Sequence, residues 1–413
     1  MTDTSVTRKD HLTFRGNVKQ GRHGWLRLTP AYSLHVVQDI LGNASPGDFA
    51  LDPFSGTGTT PLASAVHGTP CHALDINPFL IWLGNLKCSV FSEAEQQGLR
   101  REAMTLIGNL REQKKVQTEW VPDLKNIEKW WDEPVLQSLS RLHKQISKRS
   151  NGLVGELLKG CFLRTMIDRA HVSFSHQSMS FKQQKKGSPT LFELEDDGET
   201  VWESFLTEAN WVADTLLNEQ PQTNAEVFLG DSRSVKKALP RDGYTLAITS
   251  PPYPNRMSYI RELRPYMYWL GYLTNGRQAG ELDWQAIGGT WGCATSLLNS
   301  WEASKTATIS IDGFDRIIRE ISDGCEALGR YVHKYFEDMV RHIDSLKAVL
   351  ARGARCHYIV GNSKFYDTLL PVEQIFASLF ERAGFKRVRV ETLRKRTSKK
   401  ELFEFCVYAE TPG

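Results

Sequence analysis

The chain has 413 residues, room for one large domain with insertions or two of ordinary size, and its 40% hydrophobic content is that of a globular protein with a core. A net charge of +3 is too small to identify a nucleic-acid partner, so any such reading rests on where the charge sits. Seven dispersed cysteines, with no CxxC pair and no Cys/His cluster at zinc spacing, exclude a disulfide scaffold and a zinc module.

Met1 to Asp10 lacks the apolar centre of a signal peptide, and no later run is long and apolar enough to span a membrane, which predicts a cytoplasmic protein. Trp25 to Pro30 leads into a helix over 31–41. Pro30 stands where a first helical turn tolerates it; Leu34, Val37 and Leu41 share one face, with Ile40 beside them. Gly42 to Asp48 is a turn. Phe49 to Asp52 then reads as a strand, Pro53-Phe-Ser-Gly-Thr-Gly-Thr59 as a glycine-rich bend, and Thr60-Pro61 to Gly68 as a helix. Gly56 and Gly58 let the backbone pass close to a ligand where a β-carbon would clash. No Lys follows these glycines, so the bend is not a phosphate loop; Pro61, three beyond Gly58, breaks GxGxxG. Cys71 to Asp75 is a second strand ending in an acid. That acid suits a ribose diol, or else a helix cap before Asn77-Pro78.

The stretch 91–225 is an insertion of mostly helical pattern. Glu93 to Gln117 is charged and reads as an exposed helix; Leu136, Leu139 and Leu142, then Leu153, Leu157 and Leu158, mark two more. Arg164 to Lys182 mixes basic, aromatic and hydroxyl side chains, and Lys185 and Lys186 extend it. Such a segment either holds phosphates or forms a solvated polar loop. His171 and His176 lack a carboxylate at ligand spacing, so no metal site is expected.

Glu226 to Ser232 is a third short strand, with Asp231 at its tip. Tyr244 to Ile248 is a buried strand stopped by Pro251 and Pro252, which fix φ and donate no hydrogen bond. Such a turn holds a backbone carbonyl and the Ser250 hydroxyl still while Tyr253 offers a flat face, a geometry suited to a planar amine. Beyond it, Tyr259, Arg261 and Arg264 line a base pocket or reach phosphates, or else Tyr259 packs at the core edge. Residues 274–312 read as irregular, and 314–350 as helical. Cys356 to Ser363 is a strand and turn, followed by a helix over 371–383. Arg387 to Val390 and Leu402 to Tyr408 form an antiparallel hairpin. Between its strands, Arg394, Lys395, Arg396, Lys399 and Lys400 are the densest basic cluster, either a solvated face or a phosphate contact.

Thr249-Ser-Pro-Pro-Tyr253 resembles the catalytic motif of S-adenosylmethionine-dependent DNA amino-methyltransferases, in the Ser-Pro-Pro-Tyr form of the N4-cytosine branch. The N6-adenine branch more often starts with Asp or Asn, and N2-guanine RNA enzymes with Asp. Asp52 to Thr60 resembles the cofactor loop of the same family, 25–41 its N-terminal motif, and 226–232 its third cofactor motif. The resemblance covers 25–79 and 226–272, with a looser match near the C-terminus. It implies an α/β Rossmann-like methyltransferase fold: a doubly wound, mostly parallel sheet with a C-terminal antiparallel hairpin. The catalytic domain would be 1–90 with 226–413, and the helical insertion 91–225 a candidate target-recognition region. It further implies that Pro30, Asp52, Pro53, Phe54, Ser55, Gly56, Gly58 and Thr59 surround the methionine end of the cofactor, that Asp75 takes the ribose, and that Asp231 takes the adenine amine.

The catalytic set would be Ser250, Pro251, Pro252 and Tyr253. DNA contacts are expected from Arg164, Lys182, Lys185, Lys186, Arg256, Tyr259, Arg261, Arg394 and Arg396. Partners would be double-stranded DNA and a cognate restriction endonuclease as a separate chain, with no membrane and no metal. A base amine is a poor nucleophile because its lone pair conjugates with the ring. Ser250 and the Pro251 carbonyl would accept its hydrogens while the flipped base stacks on Tyr253. Of another class, a methyltransferase-like DNA-binding protein without turnover stays open.

Overall fold

The computed structural model describes residues 13, 16–26, 32–113, 120–149, 152–173, 180–181, 198–290, 292–304, 309, 311–396 and 401–413. Its centre is a seven-stranded sheet: β1 (Ala50–Asp52), β2 (Cys71–Asp75), β3 (Ala225–Leu229), β4 (Tyr244–Thr249), β5 (Leu350–Gly361), β6 (Lys386–Lys395) and β7 (Phe403–Glu410). The spatial order is β6-β7-β5-β4-β1-β2-β3. β1 to β5 run parallel to one another, and β7 lies antiparallel between β5 and β6. This is the doubly wound sheet with a C-terminal hairpin expected of a methyltransferase fold. From β1 the chain steps outward through β2 and β3, then returns to lay β4 on the other side of β1. The crevice between β1 and β4 is therefore a topological switch point, where open α/β sheets bind ligands.

The central strands are buried on both faces, which is why they read as unbroken apolar runs. Alternation along β4 sends Leu246 and Ile248 to one layer and Ala247 to the other. The first layer includes α1 (Leu34–Leu41) and α2 (Thr59–His67), followed in the chain by α3 (Pro78–Cys88). α2 ends where expected, on Gly68 in the left-handed conformation at φ +89°. Four insertion helices follow: α4 (Glu93–Glu112), α5 (Glu133–Ser147), α6 (Gly152–Asp168) and α7 (Glu199–Thr215). Next comes α8 (Tyr259–Trp269), behind the Pro-Pro corner.

The insertion helices share one apolar cluster with Trp25, Phe79 and Leu83, and with Tyr266 and Trp269 of α8. Contrary to the sequence expectation, α4 is not simply exposed. Leu99, Ala103, Leu106, Ile107 and Leu110 form a buried stripe that its charged residues conceal in a composition count. The stretch 274–312 is not wholly irregular either: it holds α9 (Gly276–Gln285) and α10 (Cys293–Asn299). Asn275 caps α9 by accepting from the Gln278 amide at 3.0 Å, and small Ala279 and Gly280 let the helix pack closely without a visible apolar stripe. α11 (Phe314–Gly324), α12 (Glu326–Lys347) and α13 (Val372–Arg382) complete the fold, and the last two supply most of the second layer. Among the described residues no helix is long and apolar enough to cross a membrane, and no group of three or more His, Cys, Asp or Glu side chains is arranged to hold a metal ion.

Candidate active site

The glycine bend lies at the C-terminal end of β1. Asp52, fully buried, accepts through Oδ1 from the Phe54 amide at 3.0 Å and from the Thr249 hydroxyl at 2.5 Å. Burial pushes its carboxyl up to about 6, against the pull of the Thr249 hydroxyl. Among the described residues, its Oδ2 and the Ser55 hydroxyl are buried without a hydrogen-bond partner. Gly56 has φ +51°, and an added β-carbon there would meet only the Phe54 carbonyl, at 3.8 Å, so its outer side is open. Gly58, at φ +76°, is different: its β-carbon would stand 3.1 Å from the Gly84 Cα in α3. Gly58 thus serves close packing of bend against helix, whereas Gly56 faces open space. Pro53 is buried, Thr59 bonds the Thr57 hydroxyl at 3.1 Å, and Phe54 packs edge-on against His342 at 4.7 Å.

Asp75 ends β2 beside the bend, accepting from the Gly56 amide at 3.0 Å and the Asn77 amide at 2.8 Å. Asn77, not Asp75, caps α3, through the Phe79 amide. Burial pushes the Asp75 carboxyl up to about 7 in spite of these donors. A carboxylate has about four acceptor directions, so two amides leave capacity for a diol. Asp231, at the tip of β3, is held by Arg233, which donates to it from its amide at 2.8 Å and from Nη2 at 2.7 Å. Burial works against its charge, yet the Arg233 guanidinium holds the carboxyl below its ordinary range. Arg233 also reaches Asp338 in α12 at 3.0 Å.

The Pro-Pro corner ends β4, the strand beside β1. Ser250 donates its hydroxyl proton to the Ile359 carbonyl on β5 at 2.9 Å, which leaves the oxygen's lone pairs as acceptors. The Tyr335 hydroxyl donates to the Pro252 carbonyl at 2.7 Å, whereas the Pro251 carbonyl takes no hydrogen bond among the described residues. The Tyr253 amide donates to the Tyr259 hydroxyl at 3.2 Å, and its own hydroxyl donates to Glu404 at 3.0 Å. Its ring is not bare: the Arg396 guanidinium lies 4.8 Å from the centroid, over one face.

The residues expected to meet DNA divide into three groups. Arg164 donates to the Gly24 and Trp25 carbonyls, pairs with Glu208 and stacks over Trp211 at 4.0 Å. Arg394 pairs with buried Glu404 at 2.8 Å, and Arg396 donates to the Asn362 carbonyl at 2.8 Å. These three are engaged inside the fold, which a run of basic letters does not reveal. Arg256 and Arg261 are exposed on the corner side, and Tyr259 is half-buried beneath Tyr253. Lys182, Lys185 and Lys186, like Pro30, lie outside the described residues.

Three residues went unassigned at the sequence level. Thr249 ties the two motifs together, and its place at the end of an apolar strand beside Ser250 was the available signal. Tyr32, whose hydroxyl bonds that of Thr60 in the glycine-bend helix, had none beyond its position before α1. Glu404 stands out in retrospect as an acid in the apolar run Phe403-Glu-Phe-Cys-Val407.

The bend fits a cofactor carrying an ammonium and a diol whose hydroxyls donate to a carboxylate. Among the described residues Asp52 Oδ2 and the Ser55 hydroxyl carry no hydrogen bond, and the Asp75 carboxylate, on the neighbouring strand, accepts from the Gly56 amide.

No family model matches this chain. It is 21% identical over 433 residues to the Type II methyltransferase M.BsoBI of Geobacillus stearothermophilus, covering 95% of this chain and 84% of that protein. It is likewise 21% identical over 412 residues to the Type II methyltransferase M.AvaI of Anabaena variabilis, covering 94% and 84%. Among solved structures, the rRNA methyltransferase aviRa from Streptomyces viridochromogenes aligns with 96% of this chain and 92% of its own, at 11% identity and a TM-score of 0.32. In sequence, then, the chain is similar over nearly its whole length to Type II methyltransferases.

Proposed function

We propose that this protein moves a methyl group from S-adenosylmethionine to the exocyclic amine of a base in DNA, with N4 of cytosine as the acceptor. The observation that carries the proposal is the 2.5 Å hydrogen bond from Thr249 to Asp52, which joins the corner and the bend at neighbouring strand ends on the switch point. The similarity to Type II methyltransferases over most of both chains supports the same reading.

S-adenosylmethionine would supply an electrophilic methyl group. The chain's own part is recognition and alignment. Asp52 and Ser55, with Pro53, Phe54, Gly56, Thr59 and Pro30 around them, take the methionine end; Asp75 takes the ribose, and Asp231 the adenine amine. Ser250 and the Pro251 carbonyl accept the two hydrogens of the base amine, drawing its nitrogen toward a tetrahedral shape as it would take the methyl group, the methyl–sulfur bond breaking to leave a neutral thioether, and shed a proton to water. Orientation of this kind and acceptors aimed at developing positive charge are sufficient chemistry for an amine. Base extrusion from the duplex costs about a few kcal/mol, offset by stacking on Tyr253. Arg256, Arg261 and Tyr259 border the corner as DNA contacts, with Lys182, Lys185 and Lys186 and the rest of 91–225 as the target-recognition side. The setting would be cytoplasmic, beside a restriction endonuclease as a separate chain.

Incubation with labelled cofactor and mixed-sequence DNA, followed by nucleoside mass spectrometry, tests this. The expected product is N4-methylcytosine. N6-methyladenine alone would replace cytosine by adenine, and label in RNA alone would overturn the DNA assignment.

A further inference from the structure

Arg394, Glu404 and Gly361 form one row across the C-terminal hairpin and its neighbour. Arg394 on β6 is the register partner of Glu404 on β7, and Glu404 is the register partner of Gly361 on β5. Arg394 and Glu404 are nearly removed from solvent, with side chains 12% and 5% exposed. Arg394 donates from Nε to one Glu404 oxygen at 2.8 Å and from Nη2 to the other at 3.3 Å. The oxygen that receives the weaker bond also accepts the Tyr253 hydroxyl at 3.0 Å. Gly361 adds a steric boundary: a β-carbon there would stand 2.9 Å from Tyr253 Cε2 and 2.5 Å from Arg396 Nη1. The ring is thus held at its hydroxyl, along one edge and over one face.

A buried ion pair is a poor way to stabilise a hairpin, since an apolar pair of similar volume does as well or better. The next side chains on the same face of β7, Cys406 and Tyr408, are buried and uncharged. What the charged pair adds is a fixed acceptor for Tyr253, whose hydroxyl keeps its proton because burial and the adjacent carboxylate raise its pKa well above the ordinary value.

Resting on the functional reading above, we infer that Arg394 and Glu404 are a positioning pair for Tyr253: the C-terminal hairpin sets the plane on which the extruded base stacks. Glu404 touches neither base nor cofactor; it acts through the tyrosine hydroxyl. Arg394 and Arg396, counted at the sequence level as phosphate contacts, belong in this view to the stacking platform.

A double-mutant cycle tests the inference. Glu404→Leu, which leaves no acceptor for the tyrosine hydroxyl, and Tyr253→Phe are made singly and together, and single-turnover methylation is measured beside cofactor affinity and thermal stability. Each single variant should slow methyl transfer about tenfold, the scale of one hydrogen bond, with cofactor affinity unchanged. The double variant should be no slower than either single one, because both remove the same contact. Should Glu404→Leu fold poorly because Arg394 is left unpaired, Arg394→Met with Glu404→Leu leaves no unpaired charge and should show the same loss. Multiplicative losses of about a hundredfold in the cycle, or full activity in the Met/Leu variant, would overturn the inference while leaving the methyltransferase reading intact. A wild-type protein that methylates no DNA overturns both.

Discussion

The two sides of the cleft are built by different means. The glycine bend is a backbone object: Gly56 and Gly58 take left-handed φ values, and its partners Leu74, Asp75 and Gly84 all come from within the first 90 residues. The Pro-Pro corner is locally rigid too, but its functional atoms are set by remote side chains and strands. Ile359 takes the Ser250 proton, Tyr335 holds the Pro252 carbonyl, and Glu404 and Arg396 fix Tyr253. A bend made of backbone tolerates distant change and fails to local change. A corner steadied from a hundred residues away fails to distant change as well.

The sharpest way to separate the two sides is Ser250→Ala. It removes an acceptor at the corner and touches nothing in the bend, so methyl transfer should fall by about 10²-fold or more while calorimetry records nearly unchanged cofactor affinity. Loss of cofactor binding in this variant would mean that the two sides are not independent.

Gly58→Ala attacks the bend from the helix side. Left-handed φ together with the 3.1 Å approach to Gly84 should cost about 1–3 kcal/mol in thermal or denaturant unfolding. Gly56→Ala keeps only the conformational cost, about 1 kcal/mol, because its β-carbon meets open space. Its larger effect should be on cofactor affinity. Equal stability losses for the two variants would contradict the packing difference between them.

Asp52 and Asp75 make the bend sensitive to pH. Their folded carboxyls sit at about 6 and about 7, above the ordinary 3.8, so burial favours the protonated forms. The stability this contributes is complete below the unfolded value and is lost as pH rises through the folded values. The free protein should therefore become less stable between about pH 4 and pH 7, and Asp75→Asn should flatten the upper part of that curve. Cofactor affinity should rise over the same interval as the acceptors ionise. Calorimetry across pH 5 to pH 8 checks the opposed signs (about three units, spanning both carboxyls).

The smallest effects distinguish exposed from engaged arginines. Arg261→Ala should reduce the salt slope of DNA binding by about 1 and leave stability alone. Arg164→Ala should leave that slope unchanged and destabilise the protein by about 1–3 kcal/mol, through lost carbonyl, Glu208 and Trp211 contacts.

The amino-acid sequence by itself determined the order of elements, the class of sheet, the glycine bend and the Pro-Pro corner. The bend, the corner and the strands follow from short-range rules: proline fixes φ, glycine permits positive φ, and apolar runs of strand length become buried strands; the class of sheet was implied by the resemblance of those motifs to a known family. α4 and the helices within 274–312 were harder to read, because a narrow stripe or small residues sufficed to bury them. Only the tertiary structure decided that Gly58 answers to Gly84, that Thr249 joins Asp52, that Arg164 and Arg394 turn inward, and that Tyr253 leans on Glu404. Each of these is a contact between residues whose separation in the chain carries no information about their separation in space. Strand register and sheet order bring them together, and a basic or acidic letter is the same whether it meets water or a buried partner.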